Sequence, residues 1–255
     1  MIDAVPMASN PDASPVRRVR IALFWAVTLS LLLLLLPWLV PSLAWLAWPQ
    51  VLLGSLVHEL GHGLAALLAG GSFESLRVFA DGSGVASTRA PDTALARAWV
   101  AAGGLFGPSL LAAMLFVLAT HARLARAALA AIALVLLVAL VFWVRNVFGW
   151  VWTGACTLIV IWVVLRWHAL PMQTFTCFLA VQACLASLSR SDYLFASQAR
   201  TGMGELASDT AQIAAQLGGP HWFWGGLVML GSLGLMAVGV WWFLRAGFAR
   251  QREHG

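Results

Sequence analysis

Charge is the scarcest property of this chain. Of its 255 residues 10 % are charged while 61 % are hydrophobic, and all 15 basic residues are arginine. A water-soluble core does not need that balance, because soluble domains keep about a quarter of their residues charged. The arginines stand singly or in short groups between apolar runs, which excludes the continuous basic face of a nucleic-acid binder. The net charge of +5 therefore reports topology, and no nucleic-acid partner is expected. Cysteine is scarce too. Cys156, Cys177 and Cys184 are odd in number, lie in apolar stretches and show no CxxC spacing, which excludes a disulfide framework and a cysteine metal site. There is no internal repeat, and the only low-complexity run, Leu31 to Leu36, suits a lipid-facing helix.

Long apolar runs are what the chain has in place of charge. A helix needs roughly 18 to 20 apolar residues to cross a bilayer, and helices satisfy their own backbone hydrogen bonds there. The runs predict an all-α polytopic membrane protein with about seven transmembrane helices, at residues 21–40, 46–69, 96–119, 127–144, 148–165, 170–188 and 221–244. The count becomes six or eight if a segment is re-entrant or miscounted. The fourth and fifth runs are parted only by Arg145 and Asn146. Residues 1–20 are expected as a disordered cytoplasmic tail, 21–244 as one transmembrane domain and 245–255 as a short basic tail. Ser42-Leu43-Ala44 looks like a signal cleavage site, but the run before it is longer than a signal core, so an uncleaved span is expected. With the amino terminus in the cytoplasm, nine arginines fall inside and six outside, the direction of the positive-inside rule. Trp38, Trp45 and Trp48 sit where the first two spans should meet an interface.

Between the second and third spans the pattern changes. Phe73 to Thr88 holds Leu76, Val78 and Phe79, then Asp81-Gly82-Ser83-Gly84, then Val85 to Thr88, which predicts a β-hairpin. Gly70-Gly71 just before it is a helix stop. The polar connection 189–220 contains a short helix expected over Asp209 to Leu217, closed by Gly218-Gly219-Pro220.

Within the second span His58-Glu59-Leu60-Gly61-His62 fits HExxH. Histidines four apart share one helix face, so both imidazoles can reach one zinc ion, and Glu59 is placed to take a proton from the attacking water. Ionisable side chains inside a bilayer are costly and mark function by default. A pair of packing histidines is the competing reading. A catalytic zinc normally takes three protein ligands. Asp3, Asp12 and Glu253 lie in the tails, and turn or surface roles suffice for Glu74, Asp81 and Asp92. Asp192, Glu205 and Asp209 remain, and four crossings after the His58 helix return the chain to the correct side for all three. Asp209 is the preferred third ligand, though Asp209 with Gln212 also reads as an N-cap and its capping-box partner. Gly103, Gly104 and Gly107 suit close helix packing.

His58 to Gly71, HELGHGLAALLAGG, followed by a β-hairpin and further spans, resembles the site-2 protease superfamily of membrane zinc metallopeptidases, and most closely its compact bacterial branch without PDZ domains. Ser208-Asp209-Thr210-Ala211-Gln212-Ile213-Ala214 with Pro220 and Trp222 is similar to that branch's segment ahead of the last span. The resemblance implies one zinc ion per chain held by His58, His62 and an aspartate, Glu59 as the acid-base residue, and a membrane-anchored protein substrate cleaved in the cell membrane of a bacterium. The Asn-x-x-Pro and Leu-Asp-Gly pattern that supplies the third ligand in other members is absent. A strand edge of the hairpin offers a place for an unwound substrate to pair. The alternatives are a non-catalytic metal-binding membrane protein for sensing or partner binding, and an ion transporter. A transporter would show paired halves with interrupted helices, which this sequence lacks.

Overall fold

The computed structural model describes residues 15–189 and 191–249, so the disordered tail expected before Pro15 lies outside the described residues. In chain order the elements are α1 (Pro15–Leu39), a 3-10 turn (Pro41–Ala47), α2 (Trp48–Leu68), β1 (Ser72–Val78), β2 (Gly84–Arg89), α3 (Ala94–Ala119), α4 (Ala122–Phe142), α5 (Val147–Arg166), α6 (Ala169–Leu188), α7 (Ser191–Phe195), β3 (Gln198–Thr201), β4 (Gly204–Ala207), α8 (Asp209–Leu217) and α9 (His221–Ala249). Seven helices are long and apolar enough to cross a membrane: α1, α2, α3, α4, α5, α6 and α9. Large apolar side chains such as Phe24, Leu68, Val151, Leu165 and Leu230 are exposed on their outer faces, the arrangement that lipid as solvent allows. The fourth and fifth runs are both full-length helices.

Two boundaries differ from the sequence reading. α1 starts at Pro15, so Arg17, Arg18 and Arg20 belong to a helix rather than to a tail; proline is pre-set for the first turn of a helix and arginine propagates one well. α9 continues through Arg245 to Ala249, past the expected end at 244.

α3 is central and packs against α2, α6, α8 and α9. Apolar side chains gain little by leaving lipid for another helix, so close backbone approach and shape must hold such a bundle. Gly61 on α2 and Gly103 on α3 meet: a Cβ on Gly61 would lie 2.4 Å from the Gly103 carbonyl oxygen. One core cluster joins α2 to the hairpin and α4 through Leu52, Leu56, Leu76, Val78, Leu136 and Val144.

α2 ends as the glycines require. Gly70 takes φ +81°, and the Gly71 amide closes on the Ala66 carbonyl at 2.9 Å. β1 and β2 then pair antiparallel with Leu76 opposite Ala86. The outer edge of β1 is not open to a partner. The Leu76 amide donates to the Trp143 carbonyl at 2.7 Å, the Arg145 amide donates to Leu76 at 3.0 Å, and the Asn146 side chain bonds both the amide and the carbonyl of Val78, at 3.3 and 2.7 Å. Along the β2 edge no further strand pairs among the described residues. The hairpin turn rests on α2, where the Trp48 indole donates to the Ala80 carbonyl at 2.7 Å and the Ser55 hydroxyl donates to the Gly82 carbonyl. The three cysteines are free.

A second hairpin, β3 with β4, was not expected from the sequence, nor was α7. Its tip meets the first: the Gly202 amide donates to Ser83 Oγ at 2.9 Å, and Gly202 lies so close to the Phe79 ring that a Cβ there would come within 2.5 Å of it.

Candidate metal centre

α2 carries His58 and His62 one turn apart on its buried face, about midway between Trp48 and Leu68. The His62 ring is fixed from behind, with Nδ1 2.8 Å from the Val100 carbonyl oxygen. A carbonyl can only accept, so Nδ1 carries a proton, and Nε2 is the ring nitrogen left to face a metal. Its ring occupies the space that Gly104 leaves open: a Cβ on Gly104 would fall 2.1 Å from His62 Nε2. The glycine that the sequence assigned to helix packing therefore makes room for a site residue, while Gly103 does the packing.

Glu59 is buried beside the hairpin, and its Oε2 accepts from the Ala86 amide of β2 at 2.7 Å. Gly84 on the same strand lies against it, with a Cβ there only 2.6 Å from Glu59 Cγ. Since Ala86 points its amide away from β1, the alternation of a strand turns Gly84 and Thr88 the same way, toward the cleft.

Among the described side chains of the connection 189–220, Asp209 is the acidic candidate that reaches the histidines. Its Oδ2 lies 3.0 Å from His58 Nε2 and 3.4 Å from His62 Nε2, and the two Nε2 atoms are 3.2 Å apart. Glu205 pairs instead with Arg200 on the exposed second hairpin, and the Asp192 side chain lies outside the described residues. Glu74 pairs with Arg89, Asp92 with Arg97, and Asp81 caps Ser83 at the hairpin turn; these are the turn and surface roles expected.

The capping reading of Asp209 is corrected by one residue. Ser208 is the N-cap of α8, its hydroxyl accepting from the Ala211 amide at 3.2 Å. Asp209 at the first helical position is thereby free to turn its carboxylate inward. The first turn of a helix favours a negative charge. Burial pushes this carboxyl up, and His62 and His58 overcome that and hold it well below the usual carboxylate range. Gln212 contacts the other oxygen at 3.4 Å.

The donor set fits a zinc ion. Bond lengths of about 2.0–2.1 Å in tetrahedral geometry place ligand atoms about 3.3 Å apart, and the separations here are 3.0, 3.2 and 3.4 Å. Among the described residues, His58, His62 and Asp209 form the group of three whose ligand atoms converge in this way. They sit in a cleft of about 340 Å³ lined also by Glu59, Gly84, Ala86, Thr88, Tyr193 and Leu206. Tyr193, the only tyrosine in the chain, was missed by sequence reasoning; a lone tyrosine in a tryptophan-rich chain was the available signal.

No curated protein and no solved structure matches this chain. Residues 24–239 match the Peptidase M50B-like family profile, a stretch running from α1 into α9 and containing the HELGH segment and Asp209. The chain therefore belongs to the Peptidase M50B-like family, within the site-2 protease group of membrane metallopeptidases.

Proposed function

We propose that this protein is an intramembrane zinc metalloprotease, cleaving membrane-anchored protein substrates in a bacterial inner membrane with its amino terminus in the cytoplasm. His58, His62 and Asp209 hold one zinc ion, and Glu59 is the acid-base residue. The observation that carries this reading is the triangle of ligand atoms, drawn from two helices, with His62 and Asp209 147 residues apart in sequence, beside a buried glutamate held against a strand edge. Zinc in that position would acidify a water and polarise the scissile carbonyl.

The chain's own groups divide the remaining work. Glu59 takes the proton of the attacking water and passes it to the leaving amine. Val100 keeps the proton of His62 on Nδ1. The β2 edge pairs with an unwound stretch of substrate by β-augmentation, which lays a peptide bond beside Glu59. A helical substrate hides its carbonyls within its own hydrogen bonds, so extension on a strand edge is what exposes one. Ala199, Thr201 and Leu206 of the second hairpin also line the cleft.

The test is cleavage of single-span reporter proteins in proteoliposomes by the native chain and Glu59→Gln, with and without a chelator. The reading expects cleavage within or beside the span, lost in Glu59→Gln while zinc is retained. Equal cleavage by Glu59→Gln refutes it. A zinc-loaded native chain that cleaves none of a broad reporter panel favours the non-catalytic metal-binding alternative.

A further inference from the structure

A metal site depends on the groups that orient its ligands as much as on the ligands. Asp209 begins α8, so its amide has no partner within the helix. The Tyr193 hydroxyl accepts from that amide at 3.2 Å and donates to the same residue's Oδ2 at 3.1 Å. A phenol has one proton to donate and lone pairs to accept with, and here both are used on one residue. This double contact fixes the carboxylate relative to its own backbone. The Tyr193 ring also meets His58 edge to face, centroids 6.0 Å apart and planes at 86°. One side chain thus touches two of the three proposed ligands.

The tyrosine is itself held. Its neighbour Leu194 is buried among Ala98, Ala101, Leu105, Ile213 and Val228. Gly225 of α9 lets the Leu194 carbonyl approach so closely that a Cβ there would fall 2.3 Å away. Just beyond, the carbonyls of Ala196 and Ser197 accept from the Ser208 hydroxyl and amide at 2.6 and 3.1 Å. The chain immediately after Tyr193 is thereby tied to α8 and α9.

We infer that Tyr193 is the positioning residue of the metal site, holding Asp209 in the orientation in which its Oδ2 completes the triangle with His58 and His62. This rests on the zinc reading above. Tyr193→Phe keeps the ring and removes only the hydroxyl. It is expected to raise the zinc dissociation constant about 10–100-fold, the usual effect of losing a group that orients a ligand, while the zinc-free protein stays folded with a somewhat lower melting temperature, because the Asp209 amide is left without its partner. Because the chain has a single tyrosine, growth on 3-fluorotyrosine labels this position alone, and its one 19F resonance should shift on zinc addition. An unchanged dissociation constant in Tyr193→Phe, with the native chain binding zinc, overturns the inference and leaves the zinc reading standing. So does a 19F resonance that zinc does not move, a readout that survives if the variant fails to fold. A native chain that takes up no zinc overturns both.

Discussion

If His62 is a ligand of the proposed zinc site, adding one methyl group at Gly104 should abolish zinc binding. The Cβ of alanine would lie 2.1 Å from His62 Nε2, 2.4 Å from Cε1 and 2.6 Å from Cδ2. Ordinary contact between such atoms begins at about 3.5 Å, so the imidazole must retreat by about 1.4 Å or α2 and α3 must part by as much. Separation is resisted next door, where Gly61 and Gly103 already touch, so the ring is the part that yields. Its retreat breaks the 2.8 Å bond to the Val100 carbonyl and carries Nε2 out of the triangle. Zinc ligands tolerate errors of about 0.2 Å, so the displacement removes His62 as a ligand. Zinc affinity should fall by more than the roughly 10–100-fold seen when a supporting group is lost. The assay is competitive zinc titration of detergent-purified Gly104→Ala against a chelator of known affinity, with helix content checked by circular dichroism. Native affinity in a folded Gly104→Ala would refute the claim that His62, in the orientation described, is a zinc ligand.

Other changes separate chemistry from scaffold. Glu59→Gln should keep zinc at the native level and lower reporter cleavage by about 10²–10⁴-fold, the range for losing a general acid-base group; parallel zinc and cleavage assays check it. Gly61→Ala sets a Cβ 2.4 Å from the Gly103 carbonyl oxygen and should destabilise the bundle by about 1–3 kcal/mol through overpacking, read as a lower melting temperature in detergent. Asn146→Ala leaves the Val78 amide and carbonyl without the side chain that pairs both, at about 1–3 kcal/mol for each group left unsatisfied. Amide exchange at Val78 should accelerate in that variant while the α2 amides keep their protection.

The spans, the HELGH helix, the hairpin at 72–89 and the short helix at 209–217 could be read from the sequence because each is written locally, in apolar run length, in a four-residue spacing or in glycine placement. What escaped reading is long-range. Asn146 read as a mere separator of two spans, since its partners on Val78 are 68 residues away. Gly104 read as packing, since only the fold brings His62 to it. The second hairpin has strands of four residues, Gln198–Thr201 and Gly204–Ala207, with too few apolar positions to mark a period of two. Asp209 was chosen on parity and resemblance, yet its capping role was misplaced because Ser208, one residue earlier, competes for the cap and wins. Tyr193 carries no spacing relation to HELGH, so nothing local tied it to the site.

Zinc per polypeptide, measured in detergent-purified native protein, Asp209→Ala and His62→Ala, tests the central claim most directly. The native chain should hold about one zinc ion, as a single three-ligand site requires, and both variants should lose it. A native chain without zinc, or an Asp209→Ala variant that keeps its full complement, would contradict the account.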